Sequence, residues 1–507
     1  EWSQWLAAGL HARNRWRLPI LLIGILFANG RRTVTTWLRA AGVSDDFQHY
    51  YYLLVPIGRK SGLIAGKLLE LVLKNLPLPD RVLLVIDDSP TKRYGPKVEG
   101  ADVHRNPTPG PADQPYLYGH IWVTISLALR HPKWGALGLP LRAMLYVRKQ
   151  TMASIPKWRG WQRFATKLQL AARLVEWIVP PLKNAGKTVW IVVDGGYTKR
   201  PFLRRVLRLS NVVVIGRLRK DAALRDLPPK LRKGQRRPRG RPRKYGKNKL
   251  SLAKRAGQRR GWHTIECTVY NQTVTKTYKT FLATYVPAGG VIRVVLVKEA
   301  HGWYAFYCTD PDASVVDILE AFADRATIEQ DFHDVKEVWG SGQQQVRNIW
   351  TNLAVYNLNL WMHTLVELWA WNRTERQLVN RSDSPWDDAD RRPSHANRRK
   401  ALRKQILGTE LSTITAEWSL PRKIVRLAHN LLNLAILNVS VSGKRRLLAV
   451  EVEVASFHRH ELVRRRFHSE EDAELVRDDI EGQTVFQKLC GHGIDVVVRS
   501  GRLPVRF

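Results

Sequence analysis

The sequence predicts an α/β chain with a helical N-terminal segment and an α/β core split by a β-rich insertion. Three observations lead there. "RVLLVIDD" and "TVWIVVDGGY" are continuous apolar runs that each end in a carboxylate, as strands buried on both faces of an α/β sheet do. Before the second run, "FATKLQLAARLVEWIV" repeats its apolar residues at helical spacing, as a crossover helix would. From Gly216 to His301 the alternation gives way to β-rich segments such as "TKTYKTFLATYV" and "VIRVVLVKEA".

Each element follows from its own pattern. Residues 1–80 read as helical. Leu18–Ala28, "LPILLIGILFA", is too short to span a bilayer and reads as a buried helix. "GRRTVTTWLRAAGV" resembles one helix of a helix-turn-helix, with Thr33 as its cap and Gly42 as its stop; a DNA reader and a packing module both fit it. Residues 81–215 form the first part of the core, where Asp87, Asp88 and Asp194 close the strand runs. Ligand sites in α/β sheets gather at such strand ends. Residues 216–301 form the insertion, which carries the basic run "LRKGQRRPRGRPRKYGKNK". Residues 302–375 complete the core. There "NLAVYNLNLWMHTLVELWAW" is interrupted by Asn352, Asn357, Asn359, His363 and Glu367, so it reads as a core helix and no membrane span is expected. Residues 376–507 hold a polar linker, a further helix and a tail without an assignable period.

Charge narrows the partner. Among 507 residues, 83 Lys and Arg stand against 44 Asp and Glu, a formal net charge of +39. A polyanion is the expected partner. With 19 Trp and 15 Tyr in the same chain, nucleic acid fits better than a membrane surface, because rings stack on bases while cations neutralise phosphates. Cys267, Cys308 and Cys490 are too widely spaced for a zinc cluster and too few for a disulfide framework, so a reducing cytoplasm is expected.

Residues 323–336, "ADRATIEQDFHDVK", sharpen the reading. At roughly 100° per residue, Phe322, Arg325, Glu329 and Lys336 fall within about 60° of a helical wheel. Ile328, Phe332, Val335 and Trp339 occupy the neighbouring sector. A solvated salt-bridge ladder is one explanation of this charged stripe. An active-site edge is the other. Carboxylates gathered from separate elements repel one another unless cations intervene, and Mg²⁺ suits them because it takes hard oxygen ligands. Two such ions about 3.5–4 Å apart clamp the attacking and leaving oxygens of a phosphoryl displacement.

The spacing Phe322-x2-Arg325-x3-Glu329-x6-Lys336 resembles the Tyr-Arg-Glu-Lys signature of bacterial insertion-sequence DDE transposases, with Phe in place of Tyr. "VIDDSPTKRYG" resembles the first motif of that group and "VVDGGYTKRPF" the second. The similarity covers roughly residues 30–440. It implies an RNase H-like core with a β-rich insertion and a helical N-terminal DNA-binding domain. It also implies two Mg²⁺ ions, with Mn²⁺ able to substitute, held by Asp88, Asp194 and Glu329. Asp87 is the alternative first ligand, since strand alternation does not fix which of two adjacent acids faces inward. Arg325 and Lys336, with Lys92 and Arg93 of the first motif, are expected to contact DNA. Trp303 falls where relatives stack a flipped base, although a half-buried strand Trp fits equally. Arg239 and Arg241 resemble the arginines of an AT-hook, or belong to a merely electrostatic loop.

The resemblance further implies cleavage of insertion-sequence ends and joining to target DNA by a homodimer on double-stranded DNA, in a bacterial cytoplasm at the nucleoid. A nuclease that cuts without joining and a domesticated DNA-binding protein are the alternatives.

Overall fold

A computed structural model describes residues 1–43, 45, 47–106, 114–161, 164–229, 240, 242–381, 386, 388, 390–418, 449–456, 463–467 and 494–501. The chain divides into two compact units, 1–399 and 400–507.

The first unit opens with six helices: α1 (Trp2–Ala7), α2 (Ala12–Arg15), α3 (Arg17–Phe27), α4 (Val34–Ala40), α5 (Phe47–Arg59) and α6 (Ser61–Asn75). The apolar run at Leu18–Ala28 is α3, with Leu18, Leu21, Leu22, Ile25 and Leu26 buried. In α4 the Thr33 side chain accepts the Thr36 N–H, and Gly42 follows at φ +71°, a left-handed turn that suits glycine.

The sheet then begins with β1 (Arg81–Lys92), β2 (Asp102–Arg105), β3 (Tyr116–His131) and β4 (Gly135–Tyr146). After α7 (Lys167–Asn184) come β5 (Thr188–Val193), α8 (Arg200–Val206) and β6 (Val212–Leu218). β3 runs antiparallel to both β1 and β4, while β1, β5 and β6 run parallel to one another. This mixed order is compatible with an RNase H-like core. The strand expected to stop at the acid pair instead continues to Lys92. Its parallel pairing with β5 ends at Ile86↔Val193, whereas its antiparallel pairing with β3 runs on to Lys92↔Gly119. Asp87 and Asp88 therefore lie where one neighbouring strand has ended and the other has not.

The β-rich stretch comprises β7 (Leu224–Arg225), β8 (Lys249–Leu250), α9 (Leu252–Gly257), β9 (His263–Val269), β10 (Gln272–Tyr285), β11 (Gly290–Glu299) and β12 (Gly302–Cys308). It joins the same sheet because β12 pairs with β6, from Ala305↔Leu218 to Cys308↔Ile215.

The helices α10 (Val315–Asp324), α11 (Ala326–Glu337), α12 (Ile349–Ala370) and α13 (Glu375–Leu378), with the first turn of α14 (His395–Trp418), complete the unit. The run expected to be one helix is divided at Arg325, which sits between α10 and α11 in a helical backbone conformation. α12 is buried along nearly its whole length and packs on α5 and β4. The contact with α5 is backbone against backbone, because a Cβ on Gly58 would lie 2.0 Å from the Trp350 carbonyl oxygen.

Polar residues of α12 serve the edge of β4, whose outward backbone groups no strand among the described residues pairs. The Asn357 amide takes both groups of Ala143, accepting its N–H at 2.9 Å and donating to its carbonyl at 3.2 Å. Trp361 donates to the Leu141 carbonyl at 2.9 Å and Thr364 to that of Pro140 at 2.6 Å. Positions 357, 361 and 364 lie on one helical face, so a single stripe closes the edge. No helix among the described residues is long and apolar enough to cross a membrane.

In the second unit, β13 (Ala449–Ser456) lies between β14 (Val463–Phe467) and β15 (Ile494–Gly501) in an antiparallel sheet.

Asn357→Leu keeps the volume but orphans both backbone groups of Ala143. The expected loss is about 1–3 kcal/mol for each orphaned group, read as a lower midpoint in urea denaturation.

Candidate active site

Strand alternation separates the two adjacent acids. Leu83 and Val85 pack against Ile328 and Phe332 of α11, so Asp87, next in that series, is on the α11 face of β1. Arg325 meets it there. One guanidinium nitrogen donates to Asp87 Oδ2 at 2.9 Å and the other to Glu329 Oε1 at 2.6 Å. A single cation thus joins a strand carboxylate to a helix carboxylate. Glu329 itself remains exposed, with 60% of its side chain accessible.

Asp88 points the other way, toward α7. Lys167, the first residue of that helix, donates to Asp88 Oδ2 at 2.6 Å, and the buried Tyr197 hydroxyl donates to Oδ1 at 2.7 Å. Both carboxylate oxygens have strong partners. A capping box between Thr166 and Gln169 fixes the start of α7, and with it the position of Lys167.

Asp194 follows Val193, one position beyond the last β1–β5 pair and hence beside Asp87 in register. It is exposed, and its Oδ2 accepts the Gly196 N–H at 3.4 Å. The electrostatics register this gathering of acids. Burial, reinforced by the negative charges of Asp88 and Asp194, pushes the Asp87 carboxyl up to about 6 against the opposing pull of the Asp88 N–H and Arg325. Burial and the same three carboxylates hold the Tyr197 hydroxyl well above its ordinary range, so it stays a donor.

The remaining sequence-predicted residues distribute as follows. Phe322 packs on Phe306 with ring centroids 4.6 Å apart, and the Arg325 guanidinium lies 5.7 Å from the Phe322 ring. Lys336 is half-buried and lines a cleft with Lys92; burial lowers its ammonium from the usual value, with Glu337 opposing the shift. Arg93 is buried and turned inward. It donates to the Gly342 and Gln344 carbonyls at 3.2 and 2.8 Å and to His120 at 3.2 Å, so its contact is with the fold rather than with solvent. Trp303 is half-buried at the start of β12, with the Lys220 ammonium 5.2 Å from its ring. Arg239 and Arg241 lie outside the described residues. The structure therefore brings Asp87, Arg325 and Glu329 together with Asp194 beside them, and gives Asp88 a separate set of partners.

A family model described as DDE superfamily endonuclease matches residues 6–280, more than half of the chain. The chain belongs to the DDE superfamily endonucleases. No curated protein matches it. The matched region of this endonuclease includes Asp87, Asp88 and Asp194, while Glu329 lies beyond it; the helix packing carries Glu329 to the strand acids.

Two partners escaped the sequence. Lys167 lies 79 positions from Asp88, and no local signal links them. Tyr197 was in view within "VVDGGY", but only the fold turns its hydroxyl toward Asp88.

A second group, Asp334, His363 and His395, is buried with potential ligand atoms within 4.8 Å of one another, a spacing an ion could use. The hydrogen bonding around it argues for a structural role. His395 Nδ1 is 2.6 Å from Glu367 Oε1, and its Nε2 accepts the Trp339 indole N–H at 2.8 Å, so both ring nitrogens are engaged.

Because the folded-state value of Asp87 is raised, the folded protein holds a proton between about pH 4 and 6 that the unfolded chain has released. This contribution is complete below pH 4 and is lost as pH rises through 6. Asp87→Asn is expected to stabilise the protein at pH 7 by on the order of 1–3 kcal/mol and to flatten that pH window, measured by urea melts in EDTA.

Proposed function

We propose that the protein is a DNA transposase that cleaves the ends of an insertion sequence and joins them to target DNA. The observation that carries this reading is the Arg325 bridge between Asp87 and Glu329, with Asp194 beside it, at the open end of a mixed sheet. Asp87, Asp194 and Glu329 are the metal ligands in this reading. That takes the alternative the sequence left open for the first position, because Asp88 is committed to Lys167 and Tyr197.

The donors suit a hard divalent cation, being carboxylate oxygens from three separate segments, with the Asp87 carboxyl raised by burial and further by Asp88 and Asp194. Two Mg²⁺ ions, with Mn²⁺ able to substitute, would supply Lewis-acid activation for in-line phosphoryl displacement. Water attacks the phosphorus at the element end and breaks the P–O3′ bond; the freed 3′-hydroxyl oxygen then attacks a target phosphate, forming a new P–O3′ bond as the target's own P–O3′ bond breaks and leaves a target 3′-hydroxyl. Arg325 offers its fork to the DNA backbone beside the acids, and Lys336 holds a phosphate one helical stretch further on. Asp88 positions Lys167 and Tyr197 behind the reacting groups.

The N-terminal helices bind the terminal repeats, and a homodimer pairs two ends. Trp303 stacks an extruded base, and Arg239 and Arg241 enter a minor groove. The protein works at the bacterial nucleoid.

The test uses supercoiled DNA bearing the sequences that flank the gene, with Mg²⁺. Wild type is expected to cut and join. Asp87→Asn and Glu329→Gln are each expected to lose about 10³-fold or more in cleavage while still binding DNA. Asp88→Asn is expected to lose only about 10–100-fold, as a supporting group would. Cleavage without joined product would leave the nuclease and remove the transposase. Equal loss at positions 87 and 88 would refute the assignment of Asp87.

A further inference from the structure

Beyond the acidic edge lies the cleft that Lys336 lines. It has a volume of about 1440 Å³, and its walls come from the end of β1 and the turn after it, the turn before α4, and the α11–α12 connection. Small-molecule sites are typically about 300–1,000 Å³ with mostly apolar walls. This cleft is larger and strongly basic. Arg31, Lys92, Lys97, Lys336 and Arg347 line it, and among its described lining residues Glu337 is the one acid.

One wall residue is of another kind. Tyr94 is 78% exposed although its ring is large and apolar. Its neighbours hold it on a fixed arm. Arg93 reaches across to the Gly342 and Gln344 carbonyls of the opposite wall, and Gly95 turns the chain at φ +91°. An aromatic ring presented on a rigid arm among phosphate-binding cations is how proteins hold unpaired nucleotides: rings take the bases and cations follow the backbone.

Distance ties the cleft to the acids. Lys336 is seven residues beyond Glu329, about 10 Å along α11. At the duplex rise of about 3.4 Å per nucleotide that span is roughly three nucleotides, and fewer of an extended single strand. A base inside a duplex has both faces covered by its neighbours, so it stacks on a side chain only once it has left the stack.

We infer that this cleft is a subsite for a short unpaired stretch of DNA next to the scissile phosphate, with Tyr94 stacking on one of its bases. The inference rests on the DNA-processing reading and deepens it: the strand end is opened, not merely gripped. It also assigns the cations of this wall to the phosphates of a single strand.

The experiment measures binding by the full-length protein in EDTA, where no cleavage intervenes. Two probes are compared, a blunt duplex and the same duplex with a three-nucleotide single-stranded tail carrying 2-aminopurine. Wild type is expected to bind the tailed probe more tightly and to quench its fluorescence. Tyr94→Ala should weaken tailed binding about 5- to 150-fold, abolish the quench and leave blunt-duplex affinity unchanged, with the wild-type melting temperature. Tyr94→Trp should restore both signals. Arg347→Ala should lower the salt slope for the tailed probe by about one.

Equal effects of Tyr94→Ala on both probes, or none on either, would overturn the stacking assignment, as would failure of Tyr94→Trp to rescue. If wild type binds neither probe, the DNA reading itself falls, an outcome distinct from loss of the tail preference alone.

Discussion

A buried polar side chain is costly unless it finds a partner, and that constraint shapes most of the polar positions on α12. Asn357, Trp361 and Thr364 close the edge of β4. Asn352 takes carbonyls at the start of the helix, and Asn359 donates to Ser341 in the connection that walls the basic cleft. Further along, Glu367 meets His395 and Arg398 at the start of α14; burial raises its carboxyl, and this pairing overcomes that effect and holds it well below the ordinary range. Remove α12 and β4 has an open edge, β3 loses its outer neighbour, and β1, which carries the acids, loses its support.

The acidic edge depends on that scaffold through two simple geometries. A strand alternates its faces, so two adjacent aspartates cannot serve one site equally. A helix returns its side chains every three to four residues, so Arg325 and Glu329 arrive together. The guanidinium reaches strand and helix acids at once because its fork is planar and wide. On the other face Asp88 sits between an ammonium and a phenol. The same dipeptide thus supports two separate hydrogen-bond systems.

Much of this was legible in the sequence. The apolar runs at 81–88 and 188–194 became β1 and β5, the helical run between them became α7, and the charged stripe came to rest beside a strand acid. The polar residues within 352–367 marked a core helix, and α12 is buried along nearly its whole length. What the sequence hid was non-local. The continuation of β1 to Lys92 depends on β3, which pairs with residues that look like a turn, "SPTK". The inward course of Arg93 depends on carbonyls some 250 positions away. The tail's strands went unread although "AVEVEVAS" alternates, because one of its partners, "VRRRF", is arginine-rich and carries no apolar period.

The ladder between β12 and β6 has a mechanical consequence. Four successive residue pairs tie the β-rich stretch to the core strand that neighbours β5, and the sheet runs unbroken from the acids to β8. A flap on a flexible hinge closes over whatever arrives; a sheet fixed by a ladder at its root does not. The strand that carries Trp303 is therefore tied to the core by its pairing and not hung on a hinge.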